Sequence, residues 1–399
     1  MKKAVAECDT GKMAIGEKIV ISKDGTTHLP VSFNQEQEAL FFRTEDGYRI
    51  VTLLPDVKRL YIEVTTKCNF NCITCIRSSW QDPLTHMDWS TFKKILESME
   101  TLPDLQSVHF GGFGEPMSHP RIFDMLQAVK KRGLKVEMIT NGSFLREDVI
   151  RKLIDLEVDM VFTSLDSPEE AEYNEIRQGA SFQSVYHNIV ALQSIKQEKN
   201  VKKPELGIEF VAMKKNFSRL PQLIRLAWDL HASQVIITNL LPYHESMKDE
   251  IVYDLDDTGN LFGKESLLTS IRAQMSNMKL RTERYCKFVK EKSLCINHRG
   301  YVSPCYAFMH NYQCFVYGRK KEMKAFYVGN VNEKTLSEIW KDPLYVSFRQ
   351  TVSDYHFPSC TDCKSLDGCN YTESNEMDCW GNSPSCADCL WARRMIACP

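Results

Sequence analysis

Cysteine is missing from one long stretch of this 399-residue chain: of its 15 cysteines, none falls between Ile76 and Tyr285. One is Cys8, three are Cys68, Cys72 and Cys75, and the other eleven follow residue 285. The middle of the chain reads as a thiol-free scaffold, and the C-terminal end as a separate cysteine-dense unit. Net charge is nearly absent too, at −2, so there is no electrostatic argument for nucleic acid or an anionic membrane as partner. Basic runs such as Lys130-Lys131-Arg132 and Arg319-Lys320-Lys321 are short and read as solvated faces. No window approaches the roughly 20 apolar residues of a membrane span. The N-terminal stretch MKKAVAEC lacks the apolar centre of a secretory signal, which predicts a cytoplasmic protein. In a reducing compartment, so many cysteines point to metals or clusters instead of disulfides.

What is present fits a soluble globular protein, with 43% hydrophobic and 26% charged residues. The length suits one large domain or two to three smaller ones. Residues 1–57 predict a small β-rich lead-in, because EKIVISKDGTTHLPVSF and ALFFRTEDGYRIVTLL carry apolar runs broken at Asp-Gly. Residues 58–243 alternate strands with amphipathic helices. Strands are expected at 61–66, 107–110, 135–140, 159–165, 206–212 and 235–240. The first helix should carry Phe92, Ile95, Leu96 and Met99 inward with Ser90 as its N-cap, and a second should follow Pro120 and stop at Gly133. Six strands joined by helical crossovers imply a parallel sheet. A full barrel needs eight such units. The predicted fold is therefore α/β, an open partial (β/α)6 TIM-like barrel with the β-rich segment before it. A connector, residues 244–285, holds a helix-like LLTSIRAQMSNM, and a cysteine-rich domain, residues 286–399, follows.

Chemistry concentrates at the ends of the predicted strands, where α/β folds place it. The first runs into CNFNCITC, a C-x3-C-x2-C loop. Three thiolates this close must wrap round one centre, and thiolates select zinc, copper(I) or iron–sulfur clusters. On their own they also suit an incomplete zinc site or a redox centre. The second strand enters Gly111-Gly112-Phe113-Gly114-Glu115-Pro116, which by itself reads equally as a tight turn. The third ends in Thr140-Asn141-Gly142, the fourth in Ser164-Leu165-Asp166-Ser167, with Ile176-Arg177-Gln178-Gly179 beyond. In this order the set resembles the radical S-adenosylmethionine superfamily.

That resemblance implies several site residues. Cys68, Cys72 and Cys75 would hold a 4Fe–4S cluster with one iron open to S-adenosylmethionine. Gly112, Gly114 and Glu115 would receive the amino group, with Thr140 and Asn141 beside them. Ser164 and Asp166 would face the ribose and carboxylate region, and Arg177 would pair with the carboxylate. The family often has an aromatic before the third cysteine, and here Thr74 stands there. Adenine contact is then expected from Phe70 or from the backbone near residues 210–213. Glu209, His109 and Asp166 lie near strand ends without a clear acid–base role.

The C-terminal part resembles the SPASM extension found after many such barrels. Cys286-x13-Gly300-x4-Cys305 looks like its opening, and Cys360-x2-Cys363-x5-Cys369 its second half. Glu373 stands where the next family cysteine belongs, and Cys379 is the next available. The resemblance implies one or two auxiliary 4Fe–4S clusters. Cys286, Cys295, Cys305 and Cys379 are expected on one. Cys360, Cys363 and Cys369, with one of Cys386, Cys389 or Cys398, are expected on the other. Two zinc knuckles are the competing reading. Cys8 and Cys314 are expected to be plain thiols. Local similarity to the maturases associated with tungsten-containing aldehyde oxidoreductases implies an enzyme. It would cleave S-adenosylmethionine reductively to a 5′-deoxyadenosyl radical and modify such an oxidoreductase, its tungstopterin or an associated peptide. It would draw electrons from a ferredoxin or flavodoxin. A peptide-modifying radical enzyme of the sulfatase-activating or crosslinking kind is the alternative. A non-catalytic electron-transfer protein is the reading from another class.

Overall fold

The computed structural model describes residues 39–44, 47–52, 56–80, 83–253, 271–281 and 283–397. Strands β1 (Ala39–Thr44) and β2 (Gly47–Thr52) pair antiparallel, with Thr44 opposite Gly47. This is the hairpin that the second Asp-Gly step predicts. The earlier predicted hairpin and Cys8 lie outside the described residues, as does Cys398.

Six parallel strands follow as neighbours in chain order: β3 (Arg59–Ile62), β4 (Ser107–Phe110), β5 (Lys135–Thr140), β6 (Met160–Ser164), β7 (Glu205–Ala212) and β8 (Gln234–Asn239). Helices cover such sheets, so the strands are apolar on both faces. Every residue of β6 is buried, as are the last five of β8. Helices Trp89–Met99, Ile122–Lys130, Glu147–Asp155, Phe182–Glu198 and Leu220–Asp229 fill the crossovers. Phe92, Ile95, Leu96 and Met99 of the first are buried, as their spacing predicts. Its N-cap is Asp88, and Ser90 sits inside the first turn.

The sheet extends beyond six strands at both edges. On one side β9 (Arg272–Met275) runs parallel to β8. The sequence pattern predicts a helix here. The segment stays largely exposed, so no helical stripe is buried, and its backbone instead satisfies the open hydrogen-bonding edge of β8. On the other side β10 (Ser293–Ile296) runs parallel to β3, and β11 (Tyr301–Ser303) is antiparallel to β10. A separate hairpin, β12 (Tyr312–Val316) with β13 (Arg319–Met323), carries Cys314. Finally β14 (Gly329–Asn330) pairs with β11. The cysteine-rich part therefore continues the barrel sheet. One apolar core runs from Val57 through the barrel helices to Trp340 and Tyr345. A second, with Leu241, Phe308 and Met395, lies where the C-terminal segment meets the barrel.

Candidate functional site

The cysteine loop leaves the end of β3 and is pinned to the segment after helix Glu170–Ile176. Asn71 N donates to Gln178 O at 2.8 Å, and Ile73 N to Ile176 O at 2.9 Å. Each sulfur has a donor aimed at it. Phe70 N stands 3.4 Å from Cys68 Sγ, and Asn141 Nδ2 3.6 Å from the same atom. Arg77 Nε lies 3.4 Å from Cys75 Sγ, and one Arg177 nitrogen 4.0 Å from Cys72 Sγ. Burial pushes the Cys72 thiol up to about 11 and raises Cys68 as well. Two guanidiniums and two N–H donors around three thiols suit thiolates that are ligated, because such donors stabilise sulfur charge and tune a cluster's potential. The donor set fits a 4Fe–4S cluster.

Opposite the loop, the glycine turn after β4 packs against β3's end. Gly112 has φ +100°, and a Cβ there would come within 2.5 Å of Glu63 Cγ. A Cβ on Gly114 would come within 2.1 Å of Thr65 O. Only glycine permits that approach. Glu115 is buried and accepts from Met117 N at 3.0 Å, Thr140 Oγ1 at 2.8 Å and Asn141 N at 2.7 Å. One carboxylate thus joins the glycine turn to Thr140 and Asn141. Burial pushes its carboxyl up to about 7, against those three donors and Arg177. Glu209 is likewise raised to about 7 by burial, while His109 is lowered to about 4 by burial, against its contact with Glu137.

Gly112, Gly114, Glu115, Thr140, Asn141, Ser164 and Arg177 all line one cavity of about 250 Å³, together with Cys68, Cys72 and Cys75. Asp166 does not reach it. Its side chain is fully buried, forms an ion pair with Arg177 at 2.8 Å and accepts from Val211 N at 2.9 Å. Asp166 therefore stands behind Arg177, which it holds at the cavity wall. Phe70 belongs to the apolar core, whereas Thr74 and Val211 border the cavity. Sequence reasoning missed the wall opposite: Thr238, Asn239, Tyr306, Trp391, Ile396 and Ala397. The C-terminal segment docks there by backbone polar groups. Asn239 Nδ2 donates to Met395 O at 2.8 Å, and Ala397 N to Thr238 Oγ1 at 2.9 Å. Backbone pairing of this kind leaves no spacing signal.

The tail cysteines gather differently from the expected sorting. Burial pushes Cys286 up to about 12, and Cys389 acts on it through space. Cys305 is raised by burial with Cys389 and Cys286 nearby, and Cys386 by burial with Cys389, Cys286 and Cys305 nearby. These four are neighbours because Tyr285 N bonds Ala392 O at 2.7 Å, folding the C-terminal segment back onto Cys286. Cys360, pushed up to about 12 by burial, has Cys379 and Cys369 within electrostatic reach. Cys363 follows in the Cys360 turn and is exposed. Cys379 therefore lies within electrostatic reach of Cys360. Cys295 is buried in β10 among Tyr61, Phe288, Tyr306 and Met309. The buried pair Lys321–Asp388, at 2.7 Å, acts electrostatically on both Cys360 and Cys389.

Comparison with known proteins identifies the class of the barrel and of the cysteine-rich extension. Residues 62–203 match the radical SAM superfamily, and residues 286–364 an iron–sulfur cluster-binding domain. Fold and site together define a radical S-adenosylmethionine enzyme that takes a 4Fe–4S cluster, S-adenosylmethionine and auxiliary iron–sulfur clusters. The tungsten-containing aldehyde ferredoxin oxidoreductase cofactor-modifying protein of Pyrococcus furiosus is 38% identical over 347 residues, covering 86% of this chain and 97% of that protein. The chain belongs to that protein's family. The PqqA peptide cyclase of Gluconobacter oxydans is 23% identical over 324 residues, covering 79% of this chain and 84% of the cyclase. Among solved structures, anSMEcpe with bound AdoMet superposes with a TM-score of 0.58 at 17% identity, covering 86% of this chain and 92% of its own. Streptococcus suis SuiB bound to S-adenosylmethionine gives 0.57 at 17%, covering 81% and 72%. Both share the fold. Among the described residues, no helix is long and apolar enough to cross a membrane.

Proposed function

We propose that this enzyme modifies the tungsten–pterin cofactor of an aldehyde oxidoreductase. The likeness to the P. furiosus cofactor-modifying protein supports this, because it runs through both the barrel and the cysteine-rich end. Cys68, Cys72 and Cys75 would hold a cluster that, with S-adenosylmethionine, would supply one-electron cleavage of the sulfonium to methionine and a 5′-deoxyadenosyl radical, the electron coming from a low-potential ferredoxin or flavodoxin. Within this reading Glu115 receives the ammonium group, with Gly112 and Gly114 allowing close approach. Arg177, fixed by Asp166, receives the carboxylate. Ser164 and Val211 border the adenosine side, and Trp391, Ile396 and Tyr306 exclude water from the opposite wall. We assign Cys286, Cys305, Cys386 and Cys389 to one auxiliary cluster and Cys360, Cys363, Cys369 and Cys379 to the other. The catalytic unit is residues 58–243 and the auxiliary unit residues 286–399.

The test uses anoxically reconstituted protein, dithionite, S-adenosylmethionine and tungstopterin released from the oxidoreductase. We expect 5′-deoxyadenosine together with a mass change in the pterin, both absent in Cys72→Ala. Deoxyadenosine with an unchanged pterin, and a mass change in a peptide encoded beside the gene, would overturn the substrate assignment in favour of peptide modification.

A further inference from the structure

Beneath the glycine turn lies a group of side chains that the radical chemistry does not use. Glu63 follows β3, His298 sits in the β10–β11 turn, and His310 follows the short 3-10 helix Tyr306–Phe308. All three are buried. One ligand atom from each lies within 4.8 Å of the other two. We propose that Glu63, His298 and His310 bind one divalent first-row transition ion, Fe(II) or Zn(II), which ties the cysteine-rich extension to the barrel beneath the turn that lines the cavity.

The geometry is that of converging ligands. Glu63 Oε2 stands 2.7 Å from His310 Nε2 and 3.3 Å from His298 Nδ1. Without an ion, two imidazole N–H groups must crowd one carboxylate oxygen in a dry site. With an ion, both rings offer lone pairs, and two histidines with one carboxylate form a donor set suited to Zn(II) or Fe(II). The other carboxylate oxygen is already oriented, since Phe113 N donates to Glu63 Oε1 at 3.0 Å. Such outer hydrogen bonds are a usual support for metal ligands. His298 Nε2 is buried with no protein hydrogen-bond partner, so no competing bond ties that ring elsewhere. Aromatic rings wall the site: Trp80 lies 4.2 Å from the His310 ring and Phe113 5.7 Å. An apolar wall raises the strength of each ion–ligand contact. The three ligands come from three segments that meet only in the folded chain, one from the barrel and two from the extension. An ion here therefore couples the Gly112–Phe113 backbone to the extension.

Metal content of the anoxic holoenzyme tests the proposal, and it does so independently of any activity. Acid-labile sulfide reports cluster iron, so Fe(II) at this site appears as one iron per chain in excess of sulfide, and Zn(II) as one zinc per chain. The count is made after incubation with an equimolar amount of either ion and desalting. Both Glu63→Gln and His310→Asn should lose the ion while keeping the sulfide. X-ray absorption at the zinc edge of the zinc-loaded wild type should show nitrogen and oxygen neighbours without sulfur, an outcome that needs no variant to fold. Iron equal to sulfide with no other ion bound, an extra ion that survives both substitutions, or a sulfur shell around zinc would each overturn the assignment.

Discussion

Replacing Asp166 by alanine probes the contact on which the position of Arg177 depends. The pair stands 2.8 Å apart with side-chain exposures of 9% and 0%. Burial alone would lower the Arg177 guanidinium, yet Asp166 and the Cys72 thiol outweigh it and hold Arg177 above its ordinary value. At this separation an effective dielectric of ~20 gives about 6 kcal/mol of attraction, part of which desolvation removes. Deleting the carboxylate leaves a buried cation without its counter-ion, and Val211 N loses its acceptor. Breaking a buried pair from one side costs about 3–5 kcal/mol. At about 2.1 cal/mol/K of unfolding entropy per residue, a 399-residue chain shifts by roughly 1.2 °C per kcal/mol, so the midpoint should fall by about 4–6 °C. The assay is thermal unfolding of the anoxic holoenzyme followed by far-UV circular dichroism. Asp166→Asn serves as comparison, because it keeps an acceptor for Val211 N and removes only the charge. An alanine variant melting within about 1 °C of wild type would refute the reasoning.

Glu115 gives a pH test. Its carboxyl lies at about 7, and the ammonium of S-adenosylmethionine needs the carboxylate. Affinity should tighten about tenfold per unit as pH rises towards 7, and weaken again above about 8, where an α-amino group loses its proton. Glu115→Gln should keep only the upper limb in calorimetric titrations, and identical profiles would remove Glu115 from the ammonium site. The same shift has a stability consequence. Glu115 and Glu209 are raised from 4.5 to about 7, so the folded state binds their protons more tightly. The ligand-free protein should therefore lose stability as pH rises through that window, and urea midpoints across it measure the loss. The cluster sorting separates by electron paramagnetic resonance. Cys386→Ala should remove one auxiliary signal and Cys379→Ala the other, each leaving the cluster at Cys68, Cys72 and Cys75. Cys379→Ala should remove the signal that Cys360→Ala removes, and its loss of the Cys286→Ala signal instead would restore the sorting expected from the resemblance.

Part of the site was legible because close spacing encodes it. The C-x3-C-x2-C loop can enclose only one centre, and the motifs after β4, β5 and β6 sit at strand ends, where a parallel sheet brings them together. Asp166 shows where that logic stops. Its motif was visible, but whether it faced the cavity or Arg177 depended on the turn between β6 and the helix at residues 170–176. The helix predicted at β9 failed for a similar reason. Its apolar spacing was real, but the free edge of β8 lay within reach and its backbone groups needed partners.

The chain by itself determined the repeating strand–helix units, since burial on two faces requires continuous apolar strands and striped helices. It also determined the thiolate loop, because the ligands are a few residues apart. Tertiary structure decided everything held by distant partners. That includes which tail cysteines meet, how the C-terminal segment walls the cavity through backbone hydrogen bonds, and that Glu63 lies beside two histidines more than 230 residues away. Contacts of that range carry no periodicity, so only the folded sheet, extended at both edges, brings them into register.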